Sequence, residues 1–156
     1  MWPPISICIG GQAIRIAASW SSTGRADVAS SAEAGVKVID HGQLLDEETL
    51  RLMAERGVWL SLQYLQDDSP DMVESRRQKR RTLLEGQARI WPLAKSLGVK
   101  LAWGTDFLFD PGVNAEQNNY LVRLKAWFTP AEILKLATHD NAQLLALSGP
   151  RSPYPG

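Results

Sequence analysis

Val36-Lys37-Val38-Ile39-Asp40-His41-Gly42 is the stretch whose reading decides the fold. Val36 to Ile39 is a short, continuous apolar run entered through Gly35, the pattern of a strand buried on both faces. It ends in two polar side chains, Asp40 and His41, followed by a glycine. Two later runs repeat that design. Val58 to Leu62 reads as a second strand, and Lys100 to Trp103 as a third, closed by Gly104-Thr105-Asp106. Helical patterns fill the intervals. Buried strands alternating with helices predict parallel β/α architecture, with His41 and Asp106 at the carboxyl ends of different strands.

The helices carry their own punctuation. Leu45 to Glu55 reads as a helix with Asp46 at the N-cap, Glu47 and Glu48 in its first turn and Gly57 as the C′ residue. Leu50, Met53 and Ala54 form its apolar stripe. Pro70 and Asp71 open a long helical stretch reaching Leu97, ended by Gly98. After a loop at Asp110-Pro111-Gly112, a helix is expected from about Glu116 to Trp127. Thr129-Pro130-Ala131-Glu132 is a capping box with Thr at N-cap, proline at N1 and Glu at N3. Its helix runs to about Thr138, and a second short helix spans Asn141 to Leu147 before Gly149-Pro150.

Side-chain parity adds direction to the third strand. Ala102, Gly104 and Asp106 share one face, and Leu101 and Trp103 the other. Two small residues beneath an aspartate suit a barrel interior, and the bulky face suits the helices. In the first strand both faces are apolar, so parity leaves the direction of His41 open.

Before Ala32 the texture differs. Ile5, Ile7 and Ile9 alternate as in a short strand, and then Gly, Ser and Thr dominate through Gly24. The domain expectation is therefore a poorly patterned leader at 1–31, a β/α unit at 32–149 and an irregular tail at 150–156. The apolar start lacks a basic n-region, and Gly10-Gly11-Gln12 and Arg15 interrupt it, so it does not read as a signal peptide.

Composition narrows the function classes. Lys+Arg and Asp+Glu both number 17, which removes the electrostatic case for a nucleic acid or an anionic membrane as partner. No run approaches the ~18 apolar residues of a membrane span. The chain has 156 residues, enough for one domain with a sizeable core but short of the roughly 200 that a complete (β/α)8 barrel needs. The single cysteine, Cys8, excludes an intrachain disulfide and reads as a small apolar residue. Gly10-Gly11 is no phosphate loop, since the Lys-Ser/Thr is missing. The basic run Arg76 to Arg81 has Glu74 and Glu85 nearby and reads as a solvated helix face.

Several stretches together resemble the metal-dependent amidohydrolase superfamily, and within it the imidazolonepropionase-like and Xaa-Pro dipeptidase-like branch. They are Glu33-Ala34-Gly35-Val36 through Asp40-His41-Gly42, Leu45-Asp46-Glu47-Glu48-Thr49, and Met53 through Leu60. The likeness resumes at Leu97-Gly98-Val99-Lys100, Gly104-Thr105-Asp106, Thr129-Pro130-Ala131-Glu132 and Asn141-Ala142. It implies that the three strands are about the sixth to eighth of a (β/α)8 TIM barrel, hence a partial barrel. It further implies His41 as a metal ligand and Asp106 as both metal ligand and catalytic proton carrier. The cofactor would be a divalent metal, zinc by preference, and the reaction hydrolysis of a carbon–nitrogen bond in a dipeptide or cyclic amide.

The departures from the family pattern set the competing expectation. The only histidines are His41 and His139, so the first-strand His-x-His is absent, and the family's strand-four lysine has no match. The strand-five histidine would fall near Ser21, and serine is not an equivalent zinc ligand. The loss of pattern before Ala32 fits a shifted reading frame or a degraded gene. An incomplete enzyme is thus expected, the alternative being an inactive half-barrel acting as a binding or oligomerising module. Bare sheet edges would make it pair with a second copy or a complementing half-barrel. Its substrate would be a small amide or peptide; the sequence leaves its location open, with the cytoplasm slightly favoured. Residue by residue, a bland role stays open: His41 as a backbone-bonded strand-end histidine, Asp106 as the N-cap of a turn, His139 as a capping or surface residue.

Overall fold

The computed structural model describes residues 5–9, 12–19, 35–63, 65, 70–107 and 111–147. Ser21 and the tail at 151–156 lie outside them, as does most of the expected leader.

Five strands form one sheet in sequence order: β1 (Ile5–Ile9), β2 (Gln12–Ser19), β3 (Val36–His41), β4 (Trp59–Gln63) and β5 (Lys100–Gly104). The β2–β3, β3–β4 and β4–β5 pairs are all parallel, and β1 pairs antiparallel with β2. Sequential order with every parallel step in one direction is the order of a β/α barrel, whereas a doubly wound sheet reverses direction midway.

The expected strand at Ile5–Ile9 is present. The strand at Gln12–Ser19 was not anticipated, because Gln12 and Arg15 break its apolar run and no period is visible. Among the described residues the sheet keeps two edges, β1 and β5. β1 covers the β2 side of the parallel strands, leaving β5 as the parallel strand at an edge of the sheet.

α1 (Glu47–Arg56) starts where its cap chemistry says it should: the Asp46 carboxylate accepts from the Thr49 N–H at 2.7 Å. It stops at Gly57, whose φ of 65° a residue with a Cβ adopts only with strain. α2 (Glu74–Ser96) is shorter at its amino end than the sequence suggests. Pro92 sits within α2 on its exposed side, so the Ala88 carbonyl that loses its helical partner is on a water-facing turn. The run Arg76–Arg81 lies on the exposed first half of α2, with Arg81 paired to Glu74.

The expected helix at Glu116–Trp127 is broken into a 3₁₀ turn (Pro111–Glu116), α3 (Gln117–Arg123) and a second 3₁₀ turn (Leu124–Ala126). The Thr129 capping box opens α4 (Pro130–Lys135) as anticipated. The expected break around His139 is absent. A π-helical turn (Leu136–Asp140) instead joins α4 directly to α5 (Asn141–Ala146).

The main core lies on the helix side of the sheet. Ile39, Leu60 and Leu62 meet Leu50 and Met53 of α1, Ile90, Trp91 and Ala94 of α2, and Leu124, Ile133 and Leu136 beyond. Trp91 meets Trp127 edge-on, with ring centroids 4.9 Å apart. Val38, Trp59 and Ala102 cluster separately, with Leu144 of α5 packed against them. The parity argument for β5 holds: Ala102 belongs to this second cluster, and Leu101 and Trp103 pack on the helix-side core.

Candidate functional site

At the carboxyl end of β3 the chain leaves extended geometry abruptly. His41 has φ of 68° and Gly42 of 60°, two left-handed residues in succession. Gly42 is required for space as well as for φ, since a Cβ there would lie 2.5 Å from Leu60 Cδ1 and 3.0 Å from Leu45 Cδ1. At the end of β5, Asp106 has φ of 57°. His41 and Asp106 are the only non-glycine residues with positive φ among the described residues. Such strain persists only where the surroundings over-determine it, and it clusters at functional positions.

Those two residues face each other. His41 Nε2 lies 3.7 Å from Asp106 Oδ2, with the imidazole 19% exposed and the carboxylate 43% exposed. At that separation there is no hydrogen bond, and an ion pair exists only when the imidazole is protonated. An open cleft of about 470 Å³ adjoins the pair, lined by Gln63, Thr105, Asp106, Phe107 and Asn114. Phe107 is buried and braced edge-on by Tyr120 of α3 at 4.8 Å.

The donor set can be tested against a cation. Two zinc ligands at about 2.1 Å in tetrahedral geometry stand about 3.4 Å apart. The His41–Asp106 separation is close to that, so the pair suits two corners of a metal site. Among the described residues no group of three or more His, Cys, Asp or Glu side chains gathers. Two corners are therefore all this region supplies, and a closed shell needs donors from elsewhere.

Gln63 escaped the sequence reading. It is nearly buried at the end of β4, and its Oε1 accepts from the His41 backbone N–H at 2.8 Å. Its amide nitrogen donates to Ser61 Oγ at 2.7 Å and to Asp40 Oδ1 at 3.3 Å. Parity held the signal: Trp59, Ser61 and Gln63 alternate on the β4 face opposite Leu60 and Leu62.

His139 takes no part. It is exposed on the π-helical turn, with Nδ1 3.0 Å from Asp140 Oδ1 and Nε2 3.3 Å from Gln143 Nε2. Burial pushes the Asp140 carboxyl up, but hydrogen bonds from Lys135 and His139 outweigh it and hold the group below its ordinary range.

A second cleft, of about 420 Å³, lies toward the amino ends of β4 and β5, beside Trp59, Lys95, Lys100 and Phe128. Its carboxylates are already engaged: Glu132 with Lys95 at 2.7 Å, and Asp140 with Lys135. In β/α barrels chemistry belongs to the other end of the strands, where His41 and Asp106 are.

Comparison with known proteins bears on the family and the fold. The profile of the amidohydrolase family matches residues 12–150. Ochratoxinase from Aspergillus niger is 29% identical over 139 residues, which are 85% of this chain and 28% of that protein. The crystal structure of A. niger ochratoxinase superposes with a TM-score of 0.65 at 27% identity, over 90% of this chain and 32% of that one. A prolidase complexed with N-methylphosphonate-L-proline superposes with a TM-score of 0.70 at 21% identity, over 89% of this chain and 35% of that one. The last likeness concerns the fold alone. The chain spans about a third of the length of these relatives, or less.

Proposed function

The chain belongs to the amidohydrolase family, and from that premise we propose that it forms the C-terminal part of a hydrolytic (β/α)8 barrel acting on a carbon–nitrogen bond. In this reading β3, β4 and β5 are the sixth, seventh and eighth barrel strands, and β2 the fifth. The substrate is a dipeptide or a related small amide. One observation carries the reading: two strained, non-adjacent residues, His41 and Asp106, converge to 3.7 Å at the carboxyl ends of parallel strands.

His41 and Asp106 would hold a divalent metal, zinc by preference, through Nε2 and a carboxylate oxygen. When bound, such a cation supplies Lewis-acid polarisation of the scissile carbonyl and a more acidic attacking water. The Asp106 carboxylate, on the cleft wall, is in position to accept a proton there and return it to the leaving nitrogen. Thr105 offers a polar group along the same wall for orienting a substrate.

The remaining donors come from residues that the described part of the chain does not hold. A partner that completes the barrel, a complementing half or a second copy, would also cover the edge of β5. Without it the pair binds zinc weakly and hydrolysis is absent.

The test is metal analysis after equilibrium dialysis of the full chain against zinc, with Asp106→Asn and His41→Ala beside it. Weak zinc binding, lost in both variants, is expected. Complete absence of retained zinc in the unaltered chain removes the metal reading. Dipeptide hydrolysis by the unaltered chain alone, surviving Asp106→Asn, removes the catalytic one.

A further inference from the structure

His41 closes β3 in a left-handed conformation. On the β4 side the parallel ladder pairs Val38 with Trp59, Ile39 with Leu60 and Asp40 with Ser61, and ends there. His41 is the next residue, beyond the last β3–β4 pair and at the point where the chain turns left-handed. The acceptor that meets its backbone N–H is the Gln63 side chain, 22 residues away in sequence, at 2.8 Å.

The orientation of the Gln63 amide follows from chemistry. A backbone N–H can only donate, so Oε1 must face His41. The amide nitrogen then points to the Ser61 hydroxyl at 2.7 Å and the Asp40 carboxylate at 3.3 Å, both able to accept. One side chain thus ties the last two residues of β3 to the end of β4. It is nearly buried, so its bonds compete little with water.

We propose that Gln63 is the positioning residue of this site: it pins the Asp40–His41 peptide to the end of β4 and so keeps the imidazole beside Asp106. The role of the imidazole rests on the function proposed above; the hold on its backbone does not. Gln63 itself touches no reacting atom in this account. It acts through His41.

Amide hydrogen exchange in the full chain reads the claim directly. Gln63→Met keeps the length and bulk of the side chain but loses the strong acceptor. In it the His41 amide should exchange about tenfold faster or more, the cost of one net hydrogen bond. Gln63→Glu combined with Asp40→Asn keeps an acceptor oxygen toward His41 and sets an amide donor opposite the new carboxylate, and should leave that rate within about threefold of the unaltered protein. Ile39, two residues before His41, and Leu60, three residues before Gln63, should be unchanged in both. An unchanged His41 rate in Gln63→Met overturns the proposal, and so does equal acceleration at Ile39 and Leu60, which would make Gln63 a packing residue. A rate in the Gln63→Glu, Asp40→Asn double variant as fast as that of Gln63→Met overturns it too.

Zinc titration of the same proteins separates this inference from the preceding one. If the unaltered chain binds zinc, Gln63→Met should bind about tenfold more weakly, as expected when a group that orients a ligand is lost. Unchanged zinc affinity beside accelerated exchange overturns the positioning of the imidazole. If the unaltered chain binds none, the metal reading fails and the exchange rates still decide the role of Gln63.

Discussion

Gly86→Ala should destabilise this protein, against the usual sign of that exchange in a helix. Gly86 is buried in α2 where the helix crosses the loop after His41-Gly42. A Cβ there would sit 2.2 Å from the Gln43 carbonyl oxygen, 3.0 Å from its carbon and 3.2 Å from Leu44 Cδ2. Even a close carbon–oxygen contact needs about 3.3 Å, so the helix and loop must part by about 1 Å. The obstacle is backbone, and no rotamer change relieves it. Gln87, Ile90, Trp91 and Ala94 are all buried on α2 and would move with it. Overpacking of this kind costs about 3 kcal/mol at the upper end of its usual range. The helix preference of alanine over glycine returns about 1 kcal/mol, leaving a net loss of about 2 kcal/mol. For a domain of this size that lowers the melting temperature by about 4–8 °C. Urea unfolding followed by tryptophan fluorescence measures it, with Trp91 at the junction as reporter. Ala88→Gly, on the exposed side of the same helix, is the control and should lose about 1 kcal/mol. Neutral or improved stability in Gly86→Ala would refute the close approach of α2 to the 42–45 loop.

Asn141→Leu should cost about 2 kcal/mol, since the Asn141 amide pairs with both the N–H and the C=O of Trp103, at 2.9 and 2.8 Å; the same unfolding assay checks it. Gly42→Ala should lose more than about 1 kcal/mol, because it demands a positive φ and a place against Leu60 at once. Glu132 supplies one part of the pH dependence, its carboxyl held down to about 2 from 4.5 by Lys95 chiefly, then by the Thr129 backbone and hydroxyl. Because the folded form binds the proton less readily, its contribution is present above pH 4.5 and fades as pH falls toward 2. Glu132→Gln should remove that dependence, which melting curves between pH 2 and 7 would register.

Local chemistry made much of this fold legible from residues alone. Asp46 and Gly57 bracket α1, and Thr129 and Glu132 open α4, because each cap is complete within four residues of chain. The strand-end placement of His41 and Asp106, and the outward packing of Leu101 and Trp103, follow from apolar runs and a period of two. The tertiary structure decided what depends on distant partners. β2 exists because β1 and β3 flank it, although its own pattern is broken by Gln12 and Arg15. His41 meets Asp106 through a change of φ that apolar patterning cannot encode, and its N–H bonds to an amide 22 residues on. The π-helical turn that seats Asn141 against Trp103 answers to a strand 38 residues earlier. Hydrogen bonds between remote side chains and backbone leave no period in the chain, so only the folded arrangement discloses them.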